Sequence, residues 1–222
     1  MITQTERILS QPAHEAEQQL ERRLVQFDLW AASEVHTDDD WEANFPDWSG
    51  LISEAETVMA RETQSQRGLA LISRCWAVSE EDETCADWAR EHLQQEHVQQ
   101  MIRQLTGSTD LRTRWQACDV LGSLLVLDTA TITVLETALE DNDPYVRRRA
   151  FLALTRHLGG VDPQPYIRQM LSDPDSYNRY VAVNRYEPQL VPAALQDQIQ
   201  AAAQDPEVAR LLAGDRQQLE TE

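Results

Sequence analysis

Four stretches in the second half of this 222-residue chain repeat one pattern. They are STDLRTRWQACDVLGSLL (108–125), DNDPYVRRRAFLALTRHL (141–158), DPDSYNRYVAVNRY (173–186) and DPEVARLLA (205–213). Aligned on an apolar residue early in each, they place Leu111, Val146, Tyr177 and Val208 in one column, at intervals of 35, 31 and 31 residues. A period in that range marks a solenoid. A unit of that length is a single supersecondary element, which must stack on its neighbours to bury its apolar face.

Each unit follows the same physical logic. An aspartate opens a helix, followed by proline in three of the four units. The carboxylate can cap free N–H groups, and proline in the first turn has no N–H to leave unsatisfied. Asp143 takes that part ahead of Val146. Apolar residues then return at helical spacing: Val146, Ala150, Ala153, Leu154 and Leu158 in one unit, Leu111, Trp115, Cys118, Leu121 and Leu125 in another. A second amphipathic segment precedes each of the last three: TATITVLETALE (129–140), PQPYIRQMLS (163–172) and PQLVPAALQDQIQAAAQ (188–204). Threonine and isoleucine in the first could suggest a strand, but the spacing of Ile132, Leu135 and Leu139 predicts a helix.

DPYVRRRAFLAL resembles the second-helix signature of HEAT repeats. DPDSYNRYVAVNRYEPQLVPAAL is similar to the related variant leucine-rich repeat, with Val181, Ala182, Asn184 and Pro188 at its V-A-x-N-x-x-x-P core. The cysteine cluster that precedes some such arrays is missing, so no iron–sulfur centre is implied. The resemblance covers about residues 108–214 and implies an all-α, right-handed α-solenoid of HEAT-like hairpins with an N-terminal helical cap. In HEAT repeats the arginine directly after the valine commonly ties adjacent repeats together through Asp side chains and loop carbonyls. Arg112 and Arg147 match that position, whereas Asn178 and Ala209 depart from it. The resemblance therefore implies a ladder broken toward the C-terminus. Arg148 and Arg149 lie ~100° and ~200° around the helix from Arg147 and are expected to be freer to meet solvent or a partner.

The period fades over residues 1–107, which are expected to hold the cap and a divergent repeat, with 108–222 continuing as one solenoid. Helices are expected within 3–36 with a break near Pro12, over 51–62 and 66–78, and as one long helix over 84–105. HTDDDWEANFPDWSG (36–50) mixes carboxylates with aromatics. Asp38, Asp39 and Asp40 with Trp41 and Trp48 are a candidate docking site for a basic partner, since tryptophan is a frequent interface anchor. The competing reading is that both tryptophans fold back on the cap while the acids are solvated.

The charge has two readings, a field that favours a basic partner and an acidic surface that serves solubility alone. The formal net charge is -19, with no lysine in the chain. Residues 1–100 hold 21 Asp and Glu against 7 Arg, a net of -14, and residues 101–222 hold 17 against 12, a net of -5. Such a field repels nucleic acid at long range and favours basic proteins. No apolar run approaches the ~20 residues of a membrane span. The polar, acidic N-terminus does not read as a signal peptide. Three scattered cysteines without C-x-x-C spacing make a reducing cytoplasm the simplest compartment.

No catalytic or metal-ligating motif stands out. His92 and His97 are five apart, ~140° around a helix, unlike the pair in H-E-x-x-H. DNDP and DPDS lack the calcium-loop spacing and its glycine. Cys118 and His157 sit among apolar neighbours on repeat helices, where packing explains them. No cofactor is implied. Two enzyme families use such repeats, the HEAT-like alkylpurine DNA glycosylases and the HEAT-type bilin lyases. Six tryptophans and the row Arg112, Arg114, Arg148, Arg149 and Arg179 fit the first, but the net charge argues against it, and nothing identifies a bilin site. The chain reads as a non-catalytic protein-binding scaffold or adaptor for a basic partner, for instance an immunity-type inhibitor of a nuclease.

Overall fold

The computed structural model describes residues 13–33, 41–156, 162–185 and 193–219. Among them are twelve α-helices and no strand: α1 (Ala13–Ala31), α2 (Trp48–Met59), α3 (Gln66–Val78), α4 (Thr84–Glu91), α5 (Glu96–Leu105), α6 (Leu111–Leu121), α7 (Thr129–Ala138), α8 (Pro144–Thr155), α9 (Gln164–Leu171), α10 (Ser176–Asn184), α11 (Ala193–Ala203) and α12 (Pro206–Leu219). The chain divides into two compact units, Met1–Leu124 and Leu125–Glu222. Helix α6, in the first of the four repeated stretches, lies in the first unit. No described helix is long and apolar enough to cross a membrane.

In the first unit α2 pairs with α3 and α5 with α6, and α3 packs on α6. Helix α1 lies against both α2 and α3. Its Ala16, Leu20, Leu24 and Phe27 face inward at helical spacing, each 4 % exposed or less. Trp76, fully buried, donates its indole N–H to Met59 Sδ at 3.3 Å. The expected long helix over 84–105 is instead two. Helix α4 ends at Glu91 and α5 begins at Glu96, with His92 closing the first through its backbone N–H to the Trp88 carbonyl at 3.2 Å. The Trp88 and His92 rings stack at 4.1 Å, and Gln99 Nε2 donates to the Leu93 carbonyl at 2.9 Å, so the break is bonded on both sides. A run of helix formers hides such a break, because propensity is a weak prior against tertiary packing.

In the second unit three hairpins stack: α7 with α8, α9 with α10, α11 with α12. The second helices form a row in which α8 packs on α10 and α10 on α12, while α9 packs on α11. This is the layering of an α-solenoid, in which each hairpin buries its apolar face on the next. TATITVLETALE does form a helix, α7, with Thr131 and Leu135 fully buried. Its aspartate cap, Asp128, accepts from Thr131 N at 2.7 Å. Val146, Ala150, Phe151 and Leu154 of α8 are all 0 % exposed. Cys75, Cys85 and Cys118 are all fully buried, and burial pushes the Cys85 thiol up to about 12. His157 and Pro188 lie outside the described residues.

Candidate interaction surfaces

The loops that open α6, α8 and α10 repeat one device, spelled S/D-x-D-x-x-x-R. Its first residue is Ser108, Asp141 or Asp173, at intervals of 33 and 32. That side chain accepts the backbone N–H of the residue two on: Ser108 Oγ from Asp110 N at 3.0 Å, Asp141 from Asp143 N at 2.8 Å, Asp173 from Asp175 N at 2.8 Å. The second acid then caps the helix, Asp110 to Arg112 N at 2.9 Å, Asp143 to Tyr145 N at 2.8 Å, Asp175 to Asn178 N at 2.9 Å. The arginine four residues after the cap folds back on the loop. Arg114 Nη1 donates to the Ser108 and Thr109 carbonyls, Arg147 Nη1 to those of Asp141 and Asn142, and Arg179 Nη1 to those of Asp173 and Pro174.

The remaining guanidinium edge of Arg147 and of Arg179 reaches the first acid of the next loop. Arg147 Nε and Nη2 each meet Asp173 at 2.7 Å, a two-point fork, and Arg179 Nη2 meets Asp205 at 3.1 Å. The ladder expected to break at Asn178 therefore continues one residue later, through Arg179. Arg112 is not a member. It turns to Asp110 at 3.0 Å and toward Glu80 at 3.9 Å, with 45 % of its side chain exposed. The buried column of the repeat runs through Thr113, Val146 and Asn178, each 0 % exposed, and not through Leu111 and Tyr177, which are 39 % and 43 % exposed. Polarity hides the column from an apolar alignment. Thr113 Oγ1 donates to the Ser73 carbonyl at 2.8 Å, and Asn178 Nδ2 to the Pro144 carbonyl at 3.0 Å. Each ties its helix to the second helix before it.

Burial works to raise the Asp173 carboxyl, but the bonds from Arg147, the Asp175 backbone and Asn178 outweigh it and hold Asp173 below its ordinary 3.8. A depressed carboxylate contributes stability that is complete above the unfolded value and lost as pH falls through the folded one. The second unit should therefore hold its thermal midpoint down to about pH 4 and lose it below, with Asp173→Asn removing that part of the acid sensitivity.

Arg148 and Arg149, expected to be freer than Arg147 to meet solvent or a partner, both make contacts within the fold. Arg148 has 17 % of its side chain exposed, close to the 12 % of Arg147. Its Nε donates to Asn178 Oδ1 at 2.9 Å, and Asp175 stands 3.6 Å from Nη2. The guanidinium lies 4.2 Å from the Tyr177 ring centre and 5.4 Å from that of Tyr145. Arg149 sits 4.9 Å from the Tyr145 ring centre and donates to its hydroxyl. Because α8 and α10 are neighbours in register, the two tyrosines present their faces to the arginine between them.

In the first unit the chain passes from Asp38, Asp39 and Asp40, which lie outside the described residues, into a 3₁₀ turn, Trp41–Asn44. The Trp41 side chain also lies outside them. Trp48 opens α2 half-buried, 6.2 Å from the Phe27 ring, and its Nε1 donates to Asp82 at 3.1 Å. Phe45 wedges between Phe27 and Trp30, at 5.5 Å from each, so the turn is anchored by aromatic packing. This brings Glu42 beside Glu81 and Asp82 across a small cleft. Burial raises the Glu42 carboxyl above 4.5, and Glu81 and Asp82 add to it, while Arg112 opposes. Glu80 is raised in the same way, first by burial, although Trp115 Nε1 donates to it at 3.1 Å. The loop turns at Glu83 in the left-handed region, φ 50°, where the Arg90 guanidinium holds its carboxylate at 2.8 Å.

The acidic run Glu80–Glu83 was missed in the sequence beside the 36–50 stretch. Its signal, SEEDET between two apolar helices, was visible, but its meeting with Glu42 and Trp48 is a long-range contact. Among the described residues no cluster of His, Cys, Asp or Glu has the arrangement of a metal site.

No curated protein and no solved structure matches this chain. The family model for HEAT repeats matches residues 97–187, from within α5 to just beyond α10, and this part of the chain is similar to HEAT repeats, helical hairpins that stack in series.

Proposed function

We propose that the chain is a non-catalytic adaptor that docks a basic protein segment on the acidic surface of its first unit. The observation that carries this reading is the convergence of Glu42 with Glu81 and Asp82, from two segments nearly forty residues apart, beside the half-buried Trp48. The raised Glu42 and Glu80 carboxyls mark a place where negative charge is crowded and partly desolvated. A lysine- or arginine-rich segment relieves that crowding, and tryptophan beside it offers a flat apolar anchor. Asp38, Asp39 and Asp40 precede the same turn in sequence and extend the field. An immunity-type inhibitor that blocks a basic nuclease surface is the sharpest form of this reading.

The test uses a lysine-rich peptide and the full chain. Binding should be fast and fall steeply with salt, as expected for a steered encounter. Glu80→Gln, Glu81→Gln and Asp82→Asn together should slow association about tenfold and flatten its salt dependence. Affinity should also weaken as pH falls toward the carboxylate range, beginning above 4.5 because Glu42 and Glu80 protonate early. Unchanged association in the triple variant rejects the acidic surface.

A further inference from the structure

The second unit carries a face of opposite character. Tyr145, Arg148, Arg149, Leu152 and Arg156 follow one line of α8 at positions i, i+3, i+4, i+7 and i+11. Tyr177, Tyr180, Val181 and Asn184 follow the matching line of α10, and with Arg185 they border a surface depression of about 360 Å³. The ladder arginines fix the register. Arg147 and Arg179 are equivalent, so Tyr145 and Tyr177 occupy the same place in successive repeats, as do Arg148 and Tyr180. The two lines are joined by Arg148, whose guanidinium stands between both rings and bonds to Asn178.

Two properties mark this face. Its sign is inverted: guanidinium groups crowd it in a protein of net charge -19, and Asp175 is the carboxylate that reaches Arg148. It also leaves a large ring uncovered, since Tyr177 is 43 % exposed while its line-mate Tyr180 is 6 % exposed. Arginine held against aromatic rings is preorganised. Little side-chain freedom is then lost when its fork meets a carboxylate.

We infer that this α8–α10 face is a second docking surface, for an extended acidic peptide. Carboxylates of the peptide meet Arg149 and Arg185, and the flat residues between them rest on Tyr145 and Tyr177. The peptide is favoured over nucleic acid by charge. A polyanion requires many phosphate contacts and meets the long-range repulsion of the whole chain, whereas a short segment with a few carboxylates meets mainly the local guanidinium groups.

The probe is a blocked peptide of alternating glutamate and proline, which is extended before it binds. Its control replaces glutamate by glutamine. Titrated at low salt into the full chain, the glutamate peptide should bind and the control should bind about tenfold more weakly or not at all. Tyr177→Ala and Arg185→Glu change exposed groups and should leave the helical circular dichroism intact, yet each should weaken the glutamate peptide about tenfold. Both should leave the lysine-rich peptide at the first unit unaffected, so the two surfaces are judged independently. Absence of binding, equal binding of the glutamine control, or unchanged affinity in both variants overturns the inference. So does tighter binding of oligothymidylate that is lost in the same variants, which would make this a nucleic-acid face.

Discussion

Val146→Asp is expected to unfold the second unit under conditions where the native chain is stable. Val146 is 0 % exposed at the start of α8, among Ala150, Ala153 and Leu154, which are no more than 3 % exposed. A carboxylate there loses its water and gains no partner, because the neighbouring donors are committed. The Arg147 fork is held by Asp173 and two loop carbonyls, and the Asn178 amide by Arg148 and the Pro144 carbonyl. Burying an unpaired charge in place of an apolar side chain should cost about 4 kcal/mol or more. Urea unfolding followed by circular dichroism measures it. Leu125→Asp, at a side chain 83 % exposed, is the control and should stay within about 0.5 kcal/mol. Equal losses at the two positions would show that Val146 is not a core residue.

Arg147→Ala is expected to cost about 3 kcal/mol, since removing one member of a covered ion pair leaves the other without compensation. Asp173 has 6 % of its side chain exposed and would be the stranded group. Two further acceptors, the Asp141 and Asn142 carbonyls, lose their Arg147 donor at the same time. Arg147→Lys should recover less than half of the loss, because a single ammonium cannot span the fork and the loop at once. Arg147→Ala with Asp173→Asn should be less damaging than the sum of the two changes, as the stranded charge is then absent. Arg148→Ala should cost about 1 kcal/mol, through the lost bond to Asn178 and the lost ring contacts. A smaller loss at Arg147 than at Arg148 would contradict the ladder.

The sequence by itself determined the helical class, the hairpin period and the caps. Those properties are local: a cap lies within three residues of the N–H it accepts, and an amphipathic face repeats every 3.6 residues. Asp110 and Asp143 cap where the sequence places them and α7 is helical despite its threonines, whereas the third cap is Asp175 and not the Asp173 that precedes Pro174. Tertiary structure decided the rest. The true repeat column includes Thr113 and Asn178, polar residues that pass for surface until the carbonyls of the preceding second helix are in place to satisfy them. The ladder runs through Arg179 because only the folded loop shows which arginine reaches back six residues and forward to Asp205. Arg148 and Arg149 are drawn into the fold by tyrosines one of which belongs to the next hairpin. Trp48 met the acid run at Glu80–Glu83 by the docking of α2 beside the α3–α4 loop, 34 residues away in sequence. In each of these cases the energy comes from pairing groups distant in sequence. Composition and periodicity report what a residue needs, and only the packed neighbours decide what it gets.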